Sequence, residues 1–337
     1  MYTLGIETTC DETGIAIVKN GKEIICNLVA SQDHIHHVYG GVFPELASRC
    51  HSQTILPLIQ KALQQNALSQ HDIDLIAVAN SPGLIGSLLM GVIAAQTLAF
   101  AWNKPLIGVN HVFAHLYASM MHPQAELKFP ALGVVLSGGH TFLAKIVSTT
   151  RYELISTTVD DAIGEAFDKV ASLLGLPYPG GPHIEALSQY GNPNAYPFKA
   201  GQLKKHPLHF SFSGLKTQVL YAVQGKSLSQ QEKQDLAASF QYAACIDIVK
   251  KTLQATQTFD CQGIYFGGGV TASRTLRNLF KTQHYPMFWP ADGLSLDNAA
   301  MIAGLGFELS QKTSQNDTFS LSVSPKINVQ AMIREAT

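Results

Sequence analysis

His111 and His115 stand four residues apart in the run His111-Val112-Phe113-Ala114-His115. On a helix that spacing puts both imidazoles on one face, at a separation that suits a single metal ion. Two ligands leave such a site incomplete, and a third must come from elsewhere in the chain. The Asp297-Asn298 pair, just ahead of the small-residue run Ala299 to Gly304, is the best offer of a carboxylate. Two histidines and a carboxylate suit zinc or iron and leave positions open for substrate oxygens. The same histidines would serve equally to cap and pack a helix, because an H-x-x-x-H pair carries little specificity in a chain with 13 histidines. Zincin proteases share the spacing, but they need a glutamate after the first histidine as general base, and position 112 is valine. A metal here calls for some other role.

Two acidic clusters add titratable chemistry. The first is Asp11 and Glu12 in Cys10-Asp11-Glu12-Thr13, either solvated turn acids or groups placed to handle a proton. The second is Asp160-Asp161, followed by Gly164-Glu165-Ala166-Phe167-Asp168-Lys169. Asp160 or Asp161 reads as the N-cap of the helix that follows. Asp168 lies one turn from Gly164 and Glu165, and an acid beside a nucleotide commonly accepts a ribose hydroxyl.

The elements that must position these groups show an internal echo. Leu4-Gly5-Ile6-Glu7, a polar turn Thr8 to Glu12, and Thr13-Gly14-Ile15-Ala16-Ile17-Val18 read as strand, turn, strand. Leu132 to Leu136, the turn Ser137-Gly138-Gly139-His140, and Thr141 to Val147 repeat the plan. A third element runs from the strand Gly263-Ile264-Tyr265-Phe266 through Gly267-Gly268-Gly269 into a helix over Thr271 to Phe280. Such turns let backbone N–H groups approach an anion, and the helix dipole adds favourable charge. Further helices are expected over Ser52 to Gln65, Asp161 to Leu174 and Gln231 to Gln254. Paired hairpins followed by a late strand, glycine turn and helix point by analogy to the actin, Hsp70 and sugar-kinase superfold, whose two lobes hold nucleotide phosphates in the cleft between them. The expected class is therefore a two-lobed α/β, actin-like (ribonuclease H-like) ATPase fold with a duplicated core.

With 337 residues, 46% of them apolar, the chain has material for two cores. A formal net charge of -1 supplies no global basic field, so any contact with nucleic acid needs a local patch or a helper. Five scattered cysteines without C-x-x-C spacing read as reduced thiols of a cytoplasmic protein. Glu7, Asp11 and Glu12 stand where a secretory signal would be basic and then apolar. Leu84 to Trp102 is uncharged and long enough to span a bilayer. Its Gly86, Ser87, Gly91, Gln96 and Thr97, the preceding Pro82-Gly83 turn and the lack of flanking basic clusters make it a buried core helix instead. No membrane is expected.

Taken in order, these motifs resemble the TsaD family, which transfers threonylcarbamoyl to tRNA adenosine. The resemblance rests on Leu4 to Thr13, Tyr39-Gly40-Gly41-Val42-Phe43-Pro44-Glu45-Leu46-Ala47-Ser48-Arg49, Pro82-Gly83-Leu84 and His111 to His115. It continues through Leu136 to Thr141, Asp160 to Lys169, Tyr178-Pro179-Gly180-Gly181-Pro182, Ser211 to Thr217 and Asp297-Asn298, so it covers nearly the whole chain. It implies one divalent metal ion, iron or zinc, on His111, His115 and Asp297. Donor contacts are implied from Val135, Leu136, Ser137, Gly138, Gly139, Asp168, Gly181, Glu185 and Ser273. The family commonly has asparagine at the position of Ser273, often aspartate at Glu185, usually an acid at Val38 and frequently arginine at Ser324.

The implied lobes are residues 1–110 with a C-terminal return of 317–337, and 111–316 carrying the metal and donor site. The implied reaction is acyl transfer from threonylcarbamoyl-AMP to the exocyclic amine of the adenosine beside the anticodon, in tRNAs reading codons that begin with A. That amine is a poor nucleophile because its lone pair is delocalised into the ring, and the mixed anhydride supplies the missing activation with AMP as leaving group. The metal would orient donor oxygens, the Ser137-Gly138-Gly139 turn would hold the donor, and Asp11 or Glu12 would steer the amine or accept its proton. Implied partners are tRNA, a TsaB-like paired subunit and a TsaE-like ATPase. Lys204, Lys205, Arg274, Arg277 and Lys281 are candidate RNA contacts. The rival readings are an ATP-dependent small-molecule kinase of the same superfold, a metalloprotease, and a non-catalytic partner subunit, against which the retained His111, His115 and Asp297 argue.

Overall fold

Strands rich in branched apolar residues at both hairpins form the centres of two sheets in the computed structural model, which describes residues 1–36, 39, 41–122, 126–312 and 320–326. The first half runs β1 (Tyr2–Glu7), β2 (Glu12–Lys19), β3 (Glu23–Ser31), α1 (Asp33–His36), α2 (Pro44–Gln65), β4 (Leu75–Ser81), α3 (Ile85–Trp102), β5 (Leu106–Asn110) and α4 (His111–Ala118). The second runs β6 (Ala131–Leu136), β7 (Thr141–Ser148), β8 (Arg151–Thr157), α5 (Ile163–Leu173), α6 (Gly180–Ser188), α7 (Ser213–Val223), α8 (Gln230–Thr258), β9 (Ile264–Gly267), α9 (Arg274–Phe280), β10 (Met287–Phe288) and α10 (Ala299–Ser310).

The first sheet has the order β3-β2-β1-β4-β5, and the second, read outward from its own hairpin, has β8-β7-β6-β9-β10. In both, the hairpin is antiparallel and the next two strands are added parallel on its other side. The echo in the sequence is thus a duplicated five-stranded plan. Each sheet carries its own apolar core, one around Leu4, Ile6, Ile15, Ile55, Ile76 and Val92, the other around Leu132, Val134, Phe167, Phe240, Ile248 and Phe266.

The compact units part at places other than the expected 110 and 316. One consists of Met1–Leu127, Ser148–Tyr152 and Pro290–Thr337, and the other of Lys128–Val147 and Glu153–Trp289. The reason is local: α4 continues β5 directly, and α10 packs on β1, β2, β4 and α4, so His111, His115 and Asp297 all remain with the first sheet. Of the expected C-terminal return, residues 317–319 and 327–337 lie outside the described residues, as do Val38 and Gly40. Within 320–326, Ser324 N–H donates to Asn80 O at 3.0 Å, and Leu321 and Val323 pack on the first core.

Three helices fall on their expected segments with shifted ends. α2 starts eight residues before Ser52, where Pro44 occupies its first turn, and α8 outlasts Gln254 by a turn. After Gly268 a single 3-10 turn, Gly269–Ala272, precedes α9, so the helix begins at Arg274 rather than Thr271. α3 departs most from its reading as a buried core helix. Ser87, Leu88, Gly91, Val92, Ala95 and Ala99 are buried, whereas Ile85, Ile93 and Phe100 are at least half exposed.

The seat of α10 depends on missing side chains. A Cβ on Gly5 would lie 2.3 Å from Ala299 O and 2.9 Å from Ala303 Cβ, so β1 and α10 touch backbone to backbone. Asn298 caps the helix, its Oδ1 accepting from Met301 N–H at 3.1 Å while its amide donates to Leu296 O at 2.8 Å. This fixes Asp297 at the helix start. Gly5→Ala must push the helix away, an overpacking cost of about 1–3 kcal/mol. The expected readout is a lower urea midpoint together with weaker metal binding, and wild-type values for both would show that α10 is not anchored there.

Candidate metal centre and glycine turns

β5 ends at Asn110, whose side-chain oxygen accepts from Val112 N–H at 3.0 Å and Phe113 N–H at 3.2 Å, starting α4 at His111. The i, i+4 spacing then stacks the two imidazoles edge to face, with ring centroids 4.6 Å apart. His115 Nε2 lies 3.0 Å from Asp297 Oδ1, and His111 Nε2 lies 3.5 Å from the same oxygen. Ligand atoms around a tetrahedral ion with bonds of about 2.0–2.1 Å sit about 3.3–3.4 Å apart, so the 3.0 Å hydrogen bond and the 3.5 Å approach lie on either side of a coordination edge. One atom from each of the three residues falls within 4.8 Å of the others. The trio fits a divalent ion, and the unpartnered buried Nδ1 of His115 shows that its ring is placed by Nε2.

On its other side, His111 Nδ1 lies 2.9 Å from Glu7 Oε2, and Glu7 Oε1 accepts from Thr9 N–H at 2.7 Å. Burial lowers the basicity of His111, but Glu7 and Asp297 outweigh it and raise its pKa to about 9. The metal-free site therefore holds an imidazolium at neutral pH, and metal must displace a proton.

The β1–β2 turn is held from several sides. His51, fully buried on α2, donates from Nε2 to Cys10 O at 3.0 Å, so its Nδ1 accepts the Thr13 hydroxyl at 2.8 Å. Burial lowers the His51 pKa and keeps that tautomer neutral. Pro82-Gly83-Leu84 abuts the same turn, since a Cβ on Gly83 would lie 2.7 Å from Thr9 O, and Leu84 N–H donates to that oxygen at 2.8 Å. Burial, reinforced by Asp297 and Asp11, pushes the Glu12 carboxyl well above the usual carboxylate range. The Cys10 thiol is pushed far above its ordinary value by burial, then by Asp11 and Asp297, and stays protonated.

In the second unit the glycine turns meet. Ser137 N–H donates to His140 O at 2.8 Å and His140 N–H returns to Ser137 Oγ at 3.1 Å, closing the β6–β7 turn after Val135 and Leu136. Gly164 N–H, in the first turn of α5, donates to Ser137 O at 3.2 Å. Gly268 has φ of +92°, and a Cβ there would strike Leu136 O at 2.5 Å. By contrast, a Cβ on Gly138, Gly139 or Gly181 would meet no atom within 4 Å.

Asp168 Oδ1 accepts from Gly180 N–H at 2.7 Å, which joins α5 to α6. Glu185 and Ser273 are bonded to each other: Ser273 Oγ donates to Glu185 Oε2 at 2.7 Å and accepts from Gln241 Nε2 at 3.2 Å and Leu276 N–H at 3.3 Å. Gln241 also donates to Glu185 and accepts from Ser188.

Two expectations change. Neither Asp160 nor Asp161 caps α5, whose N-cap is Ala162 with no side-chain bond. Asp160 instead accepts from Phe212 N–H at 2.8 Å and from the Ser211 and Ser213 hydroxyls at 2.6 and 2.8 Å, while Asp161 pairs with Lys169 and Lys216. These bonds outweigh desolvation and hold both carboxyls below their ordinary value. Among the RNA candidates, Lys204, Lys205, Arg274 and Lys281 are exposed. Arg277 is engaged, with its guanidinium 5.1 Å from the Trp289 ring and its Nε donating to Thr271 O at 2.9 Å.

Sequence reasoning missed Glu7, His51 and Gln241. Glu7 had a readable signal, a lone acid ending the apolar run Leu4-Gly5-Ile6, since a buried carboxylate needs a partner. His51 and Gln241 sit among the polar residues of long helices and gave none.

Residues 23–304 match the family described as TsaD: tRNA N6-adenosine threonylcarbamoyltransferase. Similar proteins bearing that name are 56% identical in Protochlamydia amoebophila, covering 95% of this chain and 96% of that one, and 50% identical in Chlamydia pneumoniae, covering 93% of each. Among solved structures, HypF of T. kodakarensis aligns with a TM-score of 0.64 over 95% of this chain and 49% of its own, at 14% identity. Component A of (R)-2-hydroxyglutaryl-CoA dehydratase from Acidaminococcus fermentans aligns at 0.54 over 92% and 99%, at 13% identity. At such identities these structures show the shared actin-like fold alone.

The two histidines should separate on mutation. His115→Ala is expected to abolish metal binding at modest cost to the metal-free protein. His111→Ala is expected to abolish it and also to strand buried Glu7, costing about 3–5 kcal/mol. Metal content and urea midpoints measure both, and equal midpoints would contradict the pairing. In the metal-free wild type, the raised His111 pKa stabilises fully below its ordinary 6.5 and loses that contribution as pH rises through about 9, so the midpoint should fall across that window.

Proposed function

Because the chain belongs to the TsaD family of tRNA N6-adenosine threonylcarbamoyltransferases, we propose that His111, His115 and Asp297 hold the divalent ion, iron or zinc, that serves threonylcarbamoyl transfer to tRNA. The observation that carries this is the convergence of two buried imidazole nitrogens on one oxygen of Asp297. Bound there, the ion supplies Lewis acidity and a template for carbonyl and carboxylate oxygens. The reaction is acyl transfer to tRNA adenosine, with threonylcarbamoyl-AMP as donor. The acceptor assigned is the exocyclic amine of the adenosine beside the anticodon, in tRNAs reading codons that begin with A.

The chain's own residues divide the remaining tasks. The turn Ser137-Gly138-Gly139, with Val135 and Leu136 behind it, cradles the donor. Neither packing nor φ demands glycine at Gly138, Gly139 or Gly181, which leaves close approach of a ligand to the backbone as the physical reason for those residues. Asp168 uses one oxygen on Gly180 N–H and directs its carboxylate at a ribose hydroxyl. Glu185 and Ser273 border the adenosine end as one bonded unit. Asp11 and Glu12 steer the attacking amine.

Partners follow from surface chemistry. Ile85, Leu89 and Ile93 recur every four residues along α3 at 50, 38 and 51% exposure, and Leu56 of α2 is 53% exposed. This apolar stripe is assigned to the TsaB-like paired subunit, and a TsaE-like ATPase completes the assembly. Lys204, Lys205, Arg274 and Lys281 are assigned to tRNA phosphates. A cytoplasmic location is where such a substrate is met. Neither rival activity is favoured: Val112 cannot activate water for proteolysis, and the relatives are named as transferases, not kinases.

Incubating the chain with both partners, threonylcarbamoyl-AMP and unmodified tRNA should yield the threonylcarbamoylated nucleoside by mass spectrometry. ATP-dependent phosphorylation of a sugar in a parallel incubation, with no modified nucleoside from the first, would refute the reading, and robust turnover by the chain alone would refute the partner assignment. In calorimetric titrations with a non-hydrolysable donor analogue, Ser273→Ala should lose about 0.5–1.5 kcal/mol, a few-fold to roughly tenfold in affinity. Asp168→Ala removes a charged acceptor and should lose more. The reverse order would mean that the adenosine end is misplaced.

A further inference from the structure

We infer that Glu7 is a positioning residue for the metal centre: its carboxylate holds the proton of His111 on Nδ1 and thereby presents Nε2 to the ion. The inference rests on the metal reading above and extends it to a residue that binds neither metal nor substrate. Glu7 is 1% exposed and sits at the end of β1, where an ionised carboxylate persists only if hydrogen bonds replace water. It has two such bonds, and they fix its orientation: Oε1 is taken by Thr9 N–H at 2.7 Å, which leaves Oε2 facing His111 Nδ1 at 2.9 Å. An unprotonated Nδ1 would set a lone pair against a carboxylate oxygen, so Nδ1 carries the proton. The neighbouring Thr9 hydroxyl, 3.3 Å from Nδ1, is compatible with that choice. The second nitrogen is left to face Asp297, as metal ligation requires.

An amide cannot do the same work. In Glu7→Gln, an oxygen kept toward Thr9 N–H turns the NH2 toward Nδ1, which drives the His111 proton to Nε2, where the ion must bind. The flipped amide serves Nδ1 but sets NH2 against Thr9 N–H. The first orientation keeps both bonds but reverses the tautomer, and the second loses the Thr9 bond, each at constant volume. His115 offers a contrast within the site, since its Nδ1 has no partner among the described residues and its tautomer is not set in this way.

The test uses the full chain with zinc as probe. Competition against a chelator should show Glu7→Gln binding zinc roughly 10- to 100-fold more weakly than wild type. Glu7→Asp keeps the charge but withdraws the oxygen from Nδ1, and it should weaken binding by a similar factor. Nitrogen-15 NMR of histidine-labelled, zinc-loaded wild type should show His111 ligated through Nε2 with a slowly exchanging Nδ1 proton. Wild-type affinity in Glu7→Gln would overturn the inference. So would weakening in Glu7→Gln with full affinity in Glu7→Asp, which would mark a through-space charge effect. If Glu7→Gln does not fold, Glu7→Asp and the wild-type spectrum decide, and ligation through Nδ1 overturns the proposal. Wild-type protein that takes up no zinc would overturn the metal reading and this inference together.

Discussion

Burying a carboxylate and two imidazoles side by side is the constraint on which the first unit depends. None of these groups tolerates a dry environment alone, and the bonds between them form only if three separate elements arrive in register. β1 supplies Glu7, the β5–α4 junction supplies His111 and His115, and the start of α10 supplies Asp297. The glycines of β1 and β2 are the price of that meeting, since Gly5 and Gly14 let the α10 backbone come within contact of the sheet. The small-residue run after Asn298 serves the same end from the other side, with Gly306 facing Ala77 and Gly304 facing Tyr117.

Much of this was legible in the sequence because it is written in short-range pattern. Two hairpins with matching strand and turn lengths reported a duplication, and the shared strand order bears it out. The i, i+4 histidines reported a common face, and the helix supplied it. Other features depend on partners distant in sequence. Asp160 and Asp161 look like helix caps until the chain returns 51 to 55 residues later with Ser211, Ser213 and Lys216 to claim them. α3 reads as a core helix because composition cannot tell an apolar face turned inward from one turned outward. The boundary at 110 failed to mark a domain for a related reason, since α4 is tied forward to α10, nearly two hundred residues away.

The second unit follows a different logic. Some of its glycines are demanded internally, as Gly268 is by its φ and its contact with Leu136 and as Gly180 is by Ala171 and Asp168. Others, Gly138, Gly139 and Gly181, would meet no atom within 4 Å on gaining a Cβ. Glu185 and Ser273 show how a pair of side chains accommodates itself: the longer carboxylate reaches the shorter hydroxyl directly, and Gln241 bonds to both. A serine that donates once and accepts twice uses its full capacity in the ligand-free protein, so a bond from Ser273 to a ligand replaces one of these.

X-ray absorption spectroscopy of the metal-loaded protein tests the central claim most directly. The expected result is a shell of nitrogen and oxygen alone, with two imidazoles recognisable by their outer-shell scattering and bonds of about 2.0–2.2 Å if the metal is zinc. A sulfur scatterer at about 2.3 Å, placing a cysteine such as Cys10 on the ion, or the absence of imidazole scattering, would contradict it.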